Sequence, residues 1–567
     1  MVNRFYHLLL VCLSLLSLSA CADKRANKQK LASKLRPNII VILADDLGYS
    51  DLGCYGGEIQ TPNLDYLAAN GVRFRNFYNT SRCCPSRASL LTGLYNHEAG
   101  IGEMTTDRRL DGYRGYLTAN TVTLAEVLKE AGYQTAMSGK WHVSTTIEQP
   151  TAAEHQQWLN HQVVHPYFSP VEQYPTSRGF DKYYGNIFGV VDFFDPFSLV
   201  NGTEPVATVP AGYYHTDAIN DTAVSYIKSF AGDSKPFFLY VAHTAPHWPL
   251  QALQEDIKKY EDTYKGGWDA IREARYRRMV AAGLLDSNTT KLSPRMDNNL
   301  SWENNPHREW DARAMAVHAA MVDRMDQGIG RILATLKETG ELDNTLIVFL
   351  SDNGASPEDA ARYGPGFDRP NETRTGQKVA YPVNKDVLPG PQTTFASIGA
   401  RWANVVNTPY QYAKAQSYEG GIRTPMIACW PAGIKAKGGF TDYAGHIMDF
   451  MPTFLEVAGA VYPETYKGHA ITPYAGLSLL PAFTGKVNSN HDRVLYNEHY
   501  NAKYIRRNDW KLVSLSDKND WRLYRIYEDQ SELNNLAAQY PDTVKKLAGE
   551  WRAWADAHKV YPKQAKK

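Results

Sequence analysis

The chain has 567 residues, 43% hydrophobic and 21% charged, which is enough to bury a large core without a disulfide scaffold. Its 61 Lys and Arg against 60 Asp and Glu leave a formal charge of +1. That balance lacks the basic excess of a nucleic-acid binder, so no nucleic-acid partner is expected, and 12% aromatic content is too rich for a disordered chain.

In chain order, the first segment reads as an export signal. Arg4 gives a positive start, Leu8 to Leu18 form an apolar run too short for the roughly 20 residues of a membrane span, and Leu18-Ser19-Ala20-Cys21 follows. The ending resembles the lipobox of bacterial lipoproteins. Residues 1–20 are therefore expected to be a signal peptide, Cys21 a lipidated mature N-terminus and residues 21–36 a polar tether. A plain secretory signal with Cys21 incidental is the alternative. Either way the expected location is outside the cytoplasm, in a bacterial periplasm or at the cell surface, with membrane contact only through the lipid. Cys54, Cys83, Cys84 and Cys429 then remain. Cys54 and Cys429 read as buried small residues.

Asn38 to Ala44 is a β-branched apolar run, the mark of a buried parallel strand, and it ends abruptly in Asp45-Asp46-Leu47-Gly48. A helix follows, with Thr61 as N-cap, Pro62 at its first position and Gly71 at its end. Pro85 suits the start of a helix through Ser86 to Leu91, placing Cys83 just before its N-terminus. Another helix runs from Leu124, capped by Thr123, to Ala131. The strand Gln134 to Met137 leads into Gly139-Lys140-Trp141-His142, and Phe237 to Ala242 leads into His243 and Ala245-Pro246-His247-Trp248-Pro249-Leu250. Met315, Val322, Met325, Ile329, Ile332, Leu333 and Leu336 keep helical spacing, and behind them Thr345 to Leu350 is a strand ending in Ser351-Asp352-Asn353-Gly354. Residues 355–412, rich in Pro, Gly and Asn, are expected to be long loops over the sheet's active edge. From about residue 490 short strands recur, and a helix from about Thr543 to His558 closes the chain.

Strands alternating with helices predict an α/β fold: a large, mixed, mostly parallel sheet flanked by helices, over residues 37–485. Residues 486–567 are expected to add a smaller antiparallel sheet plus helix. Ligands in such sheets bind beyond the strands' carboxyl ends, where four complementary polar endings converge. Asp45, Asp46, Asp352 and Asn353 offer only oxygens, a set that selects Ca2+ or Mg2+ over zinc. Helix N–H groups near Cys83 would attract an anion, and Arg87 adds a fork for sulfate or phosphate oxygens.

Cys83-Cys84-Pro85-Ser86-Arg87, followed by Leu91-Thr92-Gly93, resembles the signature of type I sulfatases of the alkaline phosphatase superfamily. The resemblance extends to Asp45-Asp46-Leu47-Gly48, Gly139 to His142, Ala245 to Leu250, Ser351 to Gly354, Lys414 before Glu419-Gly420-Gly421-Ile422-Arg423, and Gly399-Ala400-Arg401-Trp402-Ala403, the last as in secreted bacterial arylsulfatases. It implies that Cys83 is oxidised to formylglycine by a sulfatase-maturing (formylglycine-generating) enzyme that reads Cys-x-Pro-x-Arg. The aldehyde hydrate then attacks the sulfur of a sulfate ester. One Ca2+ (or Mg2+) would be held by Asp45, Asp46, Asp352, Asn353 and the residue 83 hydrate. Arg87, Lys140 and Lys414 would neutralise the ester, His247, with Lys414, would protonate the leaving group, and His142 would deprotonate the second hydroxyl to release sulfate. The implied substrates are aryl or carbohydrate sulfates, including algal polysaccharide. A metal-dependent phosphatase or phosphodiesterase of the same superfamily is the alternative, but it would carry Ser or Thr at position 83 and further ligands for two zinc ions. An inactive carbohydrate-binding relative would show decay among these residues, and every matched position is filled.

Overall fold

The computed structural model describes residues 36–560 except 164, 298, 363, 365–368, 381–383 and 436. The expected signal peptide, Cys21 and all of the tether but residue 36 lie outside the described residues.

Ten strands form one sheet: β1 (Asn38–Ala44), β2 (Val72–Phe74), β3 (Gln134–Gly139), β4 (Lys182–Asn186), β5 (Leu199–Asn201), β6 (Glu204–Pro205), β7 (Phe237–Ala242), β8 (Thr345–Ser351), β9 (Met426–Cys429) and β10 (Gly439–Thr441). Their order is β10-β2-β9-β8-β1-β7-β3-β4-β5-β6. The central strands β8, β1, β7, β3 and β4 are mutually parallel, and β9 and β5 run antiparallel beside them. This is the mixed, mostly parallel sheet that the pattern predicts.

A strand buried on both faces must be apolar at every position, and β1 is fully buried throughout. Its side chains alternate between two cores. Ile40 and Ile42 pack with α1 (Pro62–Asn70), α4 (His215–Phe230) and α5 (Arg308–Glu338). Ile39, Val41 and Leu43 pack with α2 (Cys83–Thr92) and α3 (Leu124–Glu130). Thr123 and Glu126 make a reciprocal capping box on α3. Thr61 stands at the N-cap of α1 but makes no cap bond; its hydroxyl instead accepts from the Gly53 N–H and donates to Asp65. The 355–412 stretch is not all loop. It contains α6 (Gly399–Val406), which buries Trp402, Val405 and Val406.

At the C-terminal end, β11 (Val494–His499), β12 (Ala502–Arg507), β13 (Trp510–Ser514) and β14 (Arg522–Arg525) form the expected antiparallel sheet, covered by α7 (Pro541–Ala557). Trp551 and Trp554 of α7 share a third core with Tyr78, Tyr418 and Ile422, which fixes this sheet to the large one. Lys511 sits fully buried between Glu419 and Glu532, 2.8 and 2.7 Å away, across that junction. Cys54, half-buried, and the buried Cys83, Cys84 and Cys429 are all free thiols.

Candidate active site

The four polar strand endings belong to four consecutive parallel strands, β8-β1-β7-β3, so they open on one edge. Register pairs Ala44 with Ser351, which brings the next residues, Asp45 and Asp352, side by side. Gly139 pairs with Ala242, so Lys140 and His243 leave the sheet together.

Helix α2 crosses this edge. Arg82 is extended (φ −146°, ψ 150°) and Cys83 opens the helix, two residues earlier than the proline position suggests. Arg87, one turn on, lies on the same face as Cys83. Sequence reasoning offers the Arg87 fork to an ester's oxygens. Instead it is fully buried and already engaged: Nε and Nη2 donate to Asp352 Oδ2 at 3.2 and 2.9 Å, and Nη1 donates to the Lys140 carbonyl at 2.9 Å. Nη2 also lies 3.4 Å from Asp45 Oδ2, which pairs with the Lys140 ammonium as well. Arg87 therefore holds the acidic pair in place.

Asp45, Asp46, Cys83 and His247 form a buried group that could hold a metal ion, with ligand atoms all within 4.8 Å of one another. Asp45 Oδ1 and Asn353 Oδ1 are buried with no hydrogen-bond partner, although an amide or carboxylate oxygen left so costs free energy. Asp46, at φ +64°, turns its backbone N–H to Asp352 Oδ1 (3.3 Å), and Asn353 Nδ2 donates to Asp46 Oδ1 (2.6 Å). Burial raises the Asp45 carboxyl, but Lys140, with Arg87 and Lys414, outweighs it and holds the group well below the usual range. Asp352 goes the other way: burial and the adjacent Asp45 push it well up despite Arg87. The unpartnered Asp45 and Asn353 oxygens, beside Asp46 and Asp352, are what a divalent cation bound here would satisfy.

Lys414, fully buried, faces Asp46 Oδ2 (2.8 Å), His247 Nε2 (3.1 Å) and Glu358 Oε2 (3.7 Å). Burial lowers its ammonium, but Asp46, Cys83 and Glu358 raise it further, so it is protonated. The Trp248 carbonyl lies 2.5 Å from His247 Nδ1, so Nδ1 must donate, and Nε2 accepts from Lys414. His247 is thus neutral, with the proton waiting on Lys414. Burial raises the Cys83 thiol, but Lys414 and Lys140 bring it below the ordinary thiol range.

A sequence model described as Sulfatase matches residues 37–460, and one described as N-sulphoglucosamine sulphohydrolase, C-terminal, matches residues 410–553. The chain belongs to the sulfatase family. An arylsulfatase of Klebsiella aerogenes is 34% identical over 81% of this chain and 94% of its own. An uncharacterized sulfatase of Schizosaccharomyces pombe is 34% identical over 93% and 94%. Among solved structures, Ps i-CgsB in complex with k-i-k-neocarrahexaose superposes with a TM-score of 0.62 at 26% identity, covering 92% of this chain and 93% of that one. The protein is therefore an enzyme of sulfate ester hydrolysis.

Two further histidines stand near the strand ends of this sulfatase. His142 turns its Nε2 to Cys84 Sγ at 3.3 Å. Burial, then Lys140 and Arg87, push its imidazole well below the ordinary range, so it is neutral. His243 is buried, and burial pushes its imidazole down to about 3. It is neutral and stands apart from the cation set. Sequence reasoning missed Glu358, which joins Arg82 (2.9 Å) to Lys414 and accepts from the Trp248 indole (2.9 Å). It also missed Gly189, where a Cβ would lie 2.3 Å from His142 Cε1. A cavity of about 630 Å3, lined by Glu358, Ser397, Arg401, Lys385, Trp310 and Asp311 among others, adjoins the site on the Glu358 side.

Proposed function

We propose that this sulfatase works through a formylglycine made from Cys83 by a maturing enzyme, with one Ca2+ or Mg2+ held by Asp45, Asp46, Asp352, Asn353 and residue 83. The observation that carries this is the complete Cys83-x-Pro85-x-Arg87 signature on the first turn of α2, set among Lys140, Lys414, His247 and the acidic cluster. When present, the hydrated aldehyde supplies an oxygen nucleophile, and the cation draws charge from the sulfate oxygens. Lys140 and Lys414 add positive charge around residue 83, the electrostatic contribution that offsets the ester's anionic repulsion. Lys414, hydrogen-bonded to His247 Nε2, holds the proton for the leaving group. The neutral His142 is the base that accepts the proton from residue 83.

For substrate we favour a sulfated carbohydrate. One relative, from Bacteroides thetaiotaomicron, is an N-acetylglucosamine-6-O-sulfatase at 27% identity over 95% of this chain, and one structural neighbour holds a neocarrahexaose. Export, with lipid attachment at Cys21, completes the proposal and suits polymeric substrates. Peptide mass spectrometry of active enzyme tests the nucleophile: formylglycine at residue 83 is expected, and full activity with only thiol there would refute it. A desulfation screen of defined oligosaccharide sulfates against an aryl sulfate tests the substrate class.

A further inference from the structure

Cys84 occupies the first free position of the signature, yet its side chain is completely buried against His142. Its sulfur lies 3.3 Å from His142 Nε2 and 3.8 Å from Met104 Sδ. A thioether sulfur can only accept, so on the Met104 side the thiol hydrogen must come from Cys84. The Cys84 sulfur then has its lone pair free for the Nε2–H of His142. A neutral imidazole has one N–H, and with that proton on Nε2 the lone pair sits on Nδ1, which is buried with no other partner. Reversing the arrangement, with the thiol donating to Nε2, would occupy the basic nitrogen and leave Nδ1–H as a buried donor without an acceptor.

The ring is fixed from other directions too. Gly189 leaves room for it only because it has no side chain. The backbone of His142 is held at φ +55°, with its N–H donating to the Ile187 carbonyl at 3.0 Å. We propose that Cys84, backed by Met104, is a positioning residue that fixes His142 in its Nε2–H tautomer and so leaves Nδ1 as the basic nitrogen of the ring. This rests on the reading of residue 83 as formylglycine and of His142 as its base.

Two measurements separate this proposal from the reading beneath it. The first needs no turnover: ring 15N shifts of histidine-labelled protein made without the maturing enzyme, with the His142 signal identified by its loss in His142→Ala. The Nε2–H tautomer is expected, shifting toward a mixture in Met104→Leu, where packing is kept but the sulfur acceptor is gone, and in Cys84→Ala. An Nδ1–H tautomer in the unaltered protein would overturn the proposal. The second follows phenol release and sulfate release separately in a single turnover, with formylglycine occupancy measured in every variant. Cys84→Ala should slow sulfate release by about 10²-fold, the cost of a misplaced catalytic group, and leave phenol release nearly unchanged. Cys84→Ser, whose hydroxyl can accept from Nε2–H, should restore most of it. Added to His142→Ala, Cys84→Ala should cost nothing more. An equal additional loss there would mean that Cys84 acts on packing and not through His142, and would sink the proposal. Active enzyme lacking formylglycine would overturn the reading of residue 83, while the tautomer measurement would still judge Cys84.

Discussion

Replacing Lys414 with methionine removes the ammonium that stands 2.8 Å from Asp46 Oδ2 and 3.1 Å from His247 Nε2, while keeping most of the stem's packing. Two losses follow from that geometry. Asp46 is left without its cationic partner in a buried site, and breaking a buried pair from one side costs about 3–5 kcal/mol. The cation-free variant should be less stable by that amount in denaturant unfolding, and added Ca2+ should recover part of it because Asp46 is a proposed ligand. The reaction loses its proton donor, and general acid catalysis is worth about 10²–10⁴-fold, or roughly 2.7–5.4 kcal/mol of barrier. That second loss depends on the leaving group. A sugar or alkyl alkoxide must be protonated as it departs, whereas a nitrophenolate leaves nearly unaided. Lys414→Met should therefore slow carbohydrate and alkyl sulfates by about 10²–10⁴-fold and nitrophenyl sulfate by far less. His247→Ala should show the same dependence to a smaller degree, because the ammonium stays beside the site. The assay is kcat/KM across sulfates of graded leaving-group basicity, at known formylglycine and cation content, with a steeper dependence expected in both variants. If Lys414→Met slows good and poor leaving groups equally, Lys414 binds the sulfate and delivers no proton, and the reasoning from the His247 hydrogen bonds fails.

Much of this site is legible in the amino-acid sequence because buried parallel strands are uninterrupted apolar runs whose ends change character abruptly. Ala44 to Asp45 and Leu350 to Asp352 mark such ends, and both carboxylates land where the register puts them. The Cys83 signature adds a helix start, and the spacing from Cys83 to Arg87 puts both on one face. Contacts between loops are a different matter. Glu358 lies in a Pro- and Gly-rich stretch with no period, and only the folded chain brings it to Arg82 and Lys414. Gly189 reads as one more loop glycine until the ring of His142 is seen filling the space its side chain would take. The partner of His142 is likewise hidden, because which residue of the first turn of α2 meets the loop after β3 is a tertiary fact. Arg87 shows the converse limit: its type and position are readable, but its hydrogen bonds to Asp352 are seen only in the folded chain. Composition misled at α6, where Trp402, Val405 and Val406 keep helical spacing inside a stretch that Pro, Gly and Asn mark as loop.

Asp352→Asn should lose the bound cation, measured as one Ca2+ or Mg2+ per chain by metal analysis and equilibrium dialysis, together with turnover; stoichiometric zinc in the unaltered protein would instead favour phosphatase chemistry. Gly189→Ala should drive the His142 ring out of place and lower kcat by about 10²-fold with circular dichroism unchanged; full activity would show that the ring has room to yield. Glu358→Gln carries a pH dependence whose sign is fixed by its surroundings. Burial raises the Glu358 carboxyl, but Lys414 and Arg82, with the Trp248 hydrogen bond, hold it well below the usual glutamate range. A carboxylate depressed in the folded state binds fewer protons there than in the unfolded chain. Its contribution is therefore fully present above the unfolded value of about 4.3 and is lost as pH falls further, toward the folded value. At pH 7 the glutamine variant should be less stable by about 1.5–3 kcal/mol, the worth of a buried hydrogen bond to a charged group. The gap between the two proteins, followed by denaturant unfolding from pH 7 down to pH 3, should narrow only below about 4.3. A gap that already closes between pH 7 and pH 5 would mean that Glu358 titrates upward of that range, and that neither Arg82 nor Lys414 holds it ionised.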